Sequence, residues 1–171
     1  MIRMRSLLTF ALLLLMPASV NAAQAPKSIP FDLAMEAART ALDNCKASGY
    51  KVSVTVLDSD TKAIVTLRDG AGANSLDAAR RKAYTAAKSG MSSMSFGKSI
   101  GFVSTRRTPN DPPTQFGVIN GDPELIPFGG GLPIKIGGEL MGAIATSGAP
   151  GPDKDEACSQ AGLTKISDRL K

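Results

Sequence analysis

Six residues have the type and spacing to hold a ligand: Arg68, Asp69, Lys82, Thr85, Gly130 and Gly131. Arg68 and Lys82 form a cationic pair suited to a ligand that bears carboxylates, because charge-assisted hydrogen bonds are stronger than neutral ones. Lys82 and Thr85 fall within one helical turn of each other. Arg68 and Asp69 stand where a strand leaves its sheet. Gly130 and Gly131 would let a ligand approach backbone N–H groups. The competing reading of each charged residue is a surface ion pair, to Asp69 or to Asp77.

Much other chemistry is ruled out by composition. The sequence has no histidine, so no Ser-His or Cys-His nucleophile, imidazole base or His-ligated zinc or haem can exist. Ser95-Phe96-Gly97-Lys98 matches the Ser-x-x-Lys pattern of penicillin-recognising enzymes, but the other two elements of that set are missing. Gly129-Gly130-Gly131 is followed by Leu-Pro and a strand, not by Lys-Ser and a helix, so it reads as a close backbone approach and not a phosphate cradle. Asp58 and Asp60 lack the rest of a calcium loop and read as turn residues. Arg80-Arg81-Lys82 is either a solvated helix face or the wall of a pocket. No catalytic residue and no metal-ligand set is assigned.

These side chains need a scaffold, and the chain supplies one domain. Residues 1–22 have the three parts of a cleavable signal peptide: Arg3 and Arg5, an apolar run over residues 7–16, and small residues at Val20 and Ala22. That run is about half of the ~20 residues a membrane span needs. Removing 22 of 171 residues leaves 149, enough for one core, so residues 23–171 are expected to form a single domain. The two leader arginines take the formal charge from +5 to +3, too mild to argue for nucleic acid. An exported, periplasmic or secreted location follows. There the two cysteines, Cys45 and Cys158, are expected to pair as a disulfide, the alternative being two separately buried thiols.

Periodicity predicts the elements in order. Ala34, Ala38, Ala41, Leu42 and Cys45 mark one face of a helix over residues 31–48. Val52, Val54 and Val56 alternate with Ser53 and Thr55 as a half-buried strand, followed by a turn at residues 58–62 and a second strand over 63–67. A helix is expected over residues 74–88, then an irregular segment over 90–121 with a short helix in it. Residues 134–136 and 140–146 form a second hairpin about Gly137-Gly138. Asp153 and Glu156 suggest a capping box for a last helix, whose inner face carries Cys158, Gly162, Leu163, Ile166 and Leu170. The fold class is α+β, one antiparallel sheet of about five strands with helices packed on it.

Across this whole span the sequence resembles the GlcG/HbpS-like family of haem-binding and haem-degrading proteins. The matching pieces are Gly49-Tyr50-Lys51-Val52-Ser53-Val54, Leu67-Arg68-Asp69-Gly70-Ala71, Arg81-Lys82-Ala83-Tyr84-Thr85-Ala86 and Gly130-Gly131-Leu132-Pro133-Ile134. They continue with Gly138-Glu139-Leu140-Met141-Gly142-Ala143-Ile144, Ser147-Gly148, Asp155-Glu156-Ala157-Cys158 and Ala161-Gly162-Leu163. The resemblance implies a profilin/roadblock-like domain that assembles into homo-oligomers, often octamers. It also implies haem as a cofactor in some members. Without histidine, the oxygens of Thr85, Tyr84 or Tyr50, the sulfurs of Met91 or Met94, or a surface site with propionates on Arg or Lys would have to serve. Ala145-Thr146 departs from the Gly-Val found at that point in many relatives.

The expected function is thus an exported oligomer that binds haem or another small carboxylated ligand, with no stable membrane span and no nucleic-acid partner. A ligand-free assembly or sensor-partner module is the alternative. A haem-degrading enzyme ranks behind both, since no general base of the imidazole type is present.

Overall fold

The computed structural model describes residues 27–101 and 121–170. The leader assigned to residues 1–22 and most of the irregular 90–121 segment lie outside them. In chain order the elements are α1 (Phe31–Ala47), β1 (Ser53–Asp58), β2 (Ala63–Arg68), α2 (Ser75–Ser89), α3 (Ser93–Ser99), β3 (Gly131–Ile136), β4 (Glu139–Ser147) and α4 (Pro152–Ile166). A 3-10 turn, Ser167–Arg169, follows α4. The sheet runs β2-β1-β4-β3 with every pair antiparallel. The α+β class is as expected. Among the described residues, however, the sheet has four strands, not about five, because the two hairpins supply all of them.

The sheet is covered on both sides, and this explains a second departure. One face packs Val54, Val56, Val65, Leu132, Ile134 and Ile144 against the alanine stripe of α1 and against Cys158 and Ile166 of α4. The other packs Leu57, Ala143 and Ala145 against Ala83, Ala86 and Ala87 of α2. Ser53 and Thr55, expected on a solvent face, are therefore buried along with the rest of β1. A period-two pattern reports which face is more apolar, and here the less apolar face is also roofed. The small side chains of α2 bring its backbone close to the sheet. A Cβ on Gly131 would overlap the carbonyl oxygen of Lys82.

Cys45 and Cys158 form a disulfide with their Cα atoms 5.6 Å apart, tying α1 to α4. The inner face of α4 holds Cys158, Gly162 and Ile166 fully buried, with Leu163 and Leu170 half-buried against the core. Its start differs from the expected capping box. Gly151 is the N-cap, without a side-chain cap, and Asp153 lies inside the first turn. The carboxylates of Asp155 and Glu156 instead reach back to loop amides, accepting from Ala149 N at 2.9 Å and Gly130 N at 3.5 Å. At the sheet's edge, β3 carries Pro133 opposite Ala143 and Lys135 opposite Leu140. A proline fits there because an edge strand has fewer ladder bonds to donate.

The β1–β2 turn holds one strained residue. Asp58 Oδ1 accepts from the backbone N–H of Asp60 at 2.9 Å and of Lys62 at 2.8 Å. Those bonds hold Thr61 at φ 64, in the left-handed region that a β-branched residue disfavours. Thr61→Gly is expected to stabilise the protein by roughly 0.5–1 kcal/mol, the relief of strain less the added chain entropy of glycine. Urea unfolding of the two proteins side by side measures it, and a destabilised variant would contradict this account of the turn.

Candidate functional site

The most heavily built polar cluster centres on Lys82. Helix α2 carries its side chain inward, 5% exposed, to Asp155 on α4, 4% exposed. Nζ donates to Asp155 Oδ2 at 2.6 Å and to the Thr146 carbonyl at 3.3 Å. Burial pushes the Lys82 ammonium below its ordinary range and the Asp155 carboxyl above its own, and the attraction between them opposes both shifts. Burial likewise raises the Glu156 carboxyl, against a hydrogen bond from the Gly130 amide.

The loop that enters β3 is threaded through this cluster. Ser159 Oγ donates to the Gly130 carbonyl at 2.7 Å and lies 2.9 Å from Thr146 Oγ1. Gly131 N donates to Ser93 Oγ at 2.9 Å, and Ser93 Oγ donates to the Phe128 carbonyl at 2.6 Å. Gly130 sits at φ 126 with its α-carbon facing the Thr146 carbonyl, where an added Cβ would lie at 2.5 Å. Thr85 is fully buried; Oγ1 donates to the Arg81 carbonyl at 2.8 Å and accepts from Ile126 N at 2.9 Å. Four of the six expected ligand residues, Lys82, Thr85, Gly130 and Gly131, thus meet in one region. Lys82 lines a cleft of ≈ 270 Å³ walled by Ile126, Phe128, Ala149 and Pro152 among others.

Arg68 and Asp69 lie elsewhere, so the expected cationic pair of Arg68 with Lys82 is not assembled. Arg68 donates Nε and Nη2 to the Ala71 carbonyl at 3.1 and 2.5 Å. Asp69 accepts from Lys46 Nζ at 2.8 Å, and this hydrogen bond holds its carboxyl below the ordinary range. Together with Arg39, Leu42, Lys46 and Leu67 they line a separate depression of ≈ 300 Å³ between α1 and β2. Its lining is mainly polar, with three cations and the Asp69 carboxylate around two leucines; Lys46 pairs with Asp69 and Arg39 with Asp43, both at the surface. Arg80 and Arg81, the other two residues of the basic run on α2, secure the segment at 122–124. Arg80 pairs with Glu124 at 2.5 Å, and Arg81 donates to the Pro123 carbonyl at 2.5 Å.

The other oxygens and sulfurs considered for haem are variously placed. Tyr84 OH donates to Asp122 Oδ2 at 2.7 Å, with the Lys88 ammonium 5.6 Å from its ring centre. Tyr50 is half-buried with Lys154 over its ring. Met91 is exposed, and Met94 packs towards Gly129. Sequence reasoning missed Asp155 as the partner of Lys82, noted Thr146 only as a departure from relatives, and missed Ser93 and Ser159 altogether. Asp155 had a signal, an acid three and seven residues before Cys158 and Gly162 and so on the buried face of α4, whereas the hydroxyls had none.

Comparison with known proteins matches residues 29–164 to the family described as haem degrading protein HbpS-like. Among solved structures, HbpS is 29% identical with a TM-score of 0.71, covering 88% of this chain and 99% of that one. A double mutant of Streptomyces reticuli HbpS is 28% identical over 95% of this chain and 99% of that one, also at a TM-score of 0.71. At 22% identity the complex of PduOC with haem shares the fold, with a TM-score of 0.66 over 81% of this chain and 95% of that one. No curated protein sequence matches.

Proposed function

The chain belongs to the HbpS-like family, and from that premise we propose that it is an exported, homo-oligomeric haem-binding protein whose site contains no histidine. The observation that carries this reading is the depression between α1 and β2, where Arg39, Lys46 and Arg68 stand around Leu42 and Leu67; the ion pairs of Arg39 with Asp43 and Lys46 with Asp69 are exposed, so a ligand carboxylate can compete for them at little cost. Such a surface suits an amphipathic macrocycle: the leucines take up apolar area and the cations hold carboxylates. Thr85 is excluded as an iron ligand, since its hydroxyl is buried and already both donates and accepts. Lys82 is excluded as a propionate anchor by its pairing with Asp155. The residues present therefore fit haem as a propionate-anchored surface ligand. Bound haem would supply the redox-active iron, and the chain's part is to orient it and neutralise its carboxylates. Export rests on the leader at residues 1–22 and on the disulfide, which belongs in an oxidising compartment. No helix among the described residues is long and apolar enough to cross a membrane.

The test is haemin titration of the purified protein lacking residues 1–22, following the Soret band while light scattering reports assembly size. Saturation at a fixed ratio per subunit is expected, with Arg68→Ala and Lys46→Ala each weakening binding roughly five- to tenfold. A flat response from a well-formed oligomer would remove haem and leave the ligand-free assembly module. Progressive loss of the band with a reductant and dioxygen both present, and its persistence as a shifted band when dioxygen is excluded, would move the reading to haem degradation.

A further inference from the structure

The depression between α1 and β2 is short of apolar surface for a macrocycle. Of the described residues that line it, only Leu42 and Leu67 are apolar. The missing area stands beside it. Phe31, Met35, Arg39, Leu42 and Lys46 recur along α1 at i, i+4, i+8, i+11 and i+15, which makes one stripe on one flank of the helix. The last three line the depression, so the first two continue the same flank towards the start of α1. That flank follows β2. Its later residues meet Leu67 and Arg68, and the residues leading into α1 reach the β1–β2 turn, where Ser59 N donates to the Lys27 carbonyl.

Phe31 is 58% exposed and Met35 37%. The core takes the other face of α1, through Ala34, Ala38, Ala41 and Cys45. Packing within the subunit therefore does not call for a phenylalanine and a methionine on this flank. Large apolar side chains exposed one turn apart mark a contact surface, where scattered ones do not. The stripe also places a sulfur. Among the described residues, Met91 and Met94 belong to the α2–α3 region, and Met141 packs against the core. Met35 is the methionine that shares a flank with cations of the depression. At 1.5 Å per residue it stands about 6 Å from Arg39 and about 16 Å from Lys46 along the axis. Sulfur and outer cation are thus set apart, as iron and carboxylates are in haem.

We propose that Met35 Sδ is the iron ligand of haem held in this depression, with Phe31 covering the ring beyond it. The assignment rests on the haem-binding reading above. A thioether is a neutral ligand that haem iron accepts, and it raises the reduction potential of the iron it binds. Ligation donates a sulfur lone pair to iron and oxidises neither partner.

Haemin and metal-free protoporphyrin, titrated into the purified protein and its variants, test this. Met35→Leu conserves apolar volume and should fold unchanged. It is expected to bind metal-free protoporphyrin as the parent does and haemin about tenfold more weakly. Its ferric complex should lose the thioether-to-iron charge-transfer band, and its haem should have a lower reduction potential. Phe31→Ala should weaken binding of both molecules about tenfold and keep that band. Haemin binding by the parent with an unchanged spectrum in Met35→Leu overturns the assignment and leaves the haem reading standing. No saturable haemin binding by the parent removes the haem reading and the assignment with it. A smaller assembly for Phe31→Ala at unchanged haemin affinity gives the stripe to a contact between copies and overturns the proposal.

Discussion

Lys82→Met is expected to destabilise the protein by about 3–5 kcal/mol, because it leaves the Asp155 carboxylate buried without its counter-charge. The cost comes from desolvation. Asp155 is 4% exposed and Lys82 5%, so water cannot take over the vacated position as it would at the surface pair of Arg39 with Asp43. That surface pair is worth about 0–1 kcal/mol by comparison. Asp155→Ala should be as severe, since it also frees the Ala149 amide that Asp155 Oδ1 now accepts from. The double variant Lys82→Met with Asp155→Asn is the informative one. Asparagine keeps an acceptor for Ala149 and offers its amide to the Thr146 carbonyl, the group Lys82 leaves behind. It should recover at least half of the loss. Urea unfolding of the parent, Lys82→Met, Asp155→Asn and the double variant measures the coupling. A loss below about 1 kcal/mol in Lys82→Met would mean that the pair is solvated and would sink the account of the cluster as a dry anchor.

Loss of the Cys45–Cys158 disulfide should have a comparable effect. The bond closes a loop of 113 residues, and removing a crosslink of that span typically costs about 2–5 kcal/mol. For a domain of this size that corresponds to a fall in Tm on the order of 10 °C. The double substitution Cys45→Ala with Cys158→Ala is preferable to chemical reduction, because both sulfurs are buried in the α1–α4 contact and reductant reaches them slowly. A Tm within about 2 °C of the parent would show that packing of α1 on α4 suffices without the bond.

The sequence was most legible where local chemistry decides the outcome. The alanine period placed α1 and α2 to within a residue or two, and Gly137-Gly138 located the second hairpin. Reading failed where two distant segments had to be brought together. Lys82 and Asp155 lie 73 residues apart, and no pattern within either helix announces the other. Arg68 and Lys82 are close in sequence, but the turn after β2 separates them onto different surfaces. Ser53 and Thr55 were assigned to solvent because a period of two says nothing about whether a helix crosses the second face. Gly130 and Gly131 were correctly marked as places of close approach, but what approaches them is the protein's own backbone and side chains.

Pro133 has a consequence for how copies of this chain meet. A sheet can grow from one molecule into the next only through strands whose outer groups continue the ladder, and β3 offers a proline and a lysine there. The opposite edge, β2, has no such block. Among the described residues, edge-to-edge joining is thereby disfavoured at β3 and left to β2 against β2 about a two-fold axis, an arrangement that closes at two molecules. For the described residues, an assembly larger than two would then use helices and loops, and open-ended fibre growth through the sheet is opposed at β3.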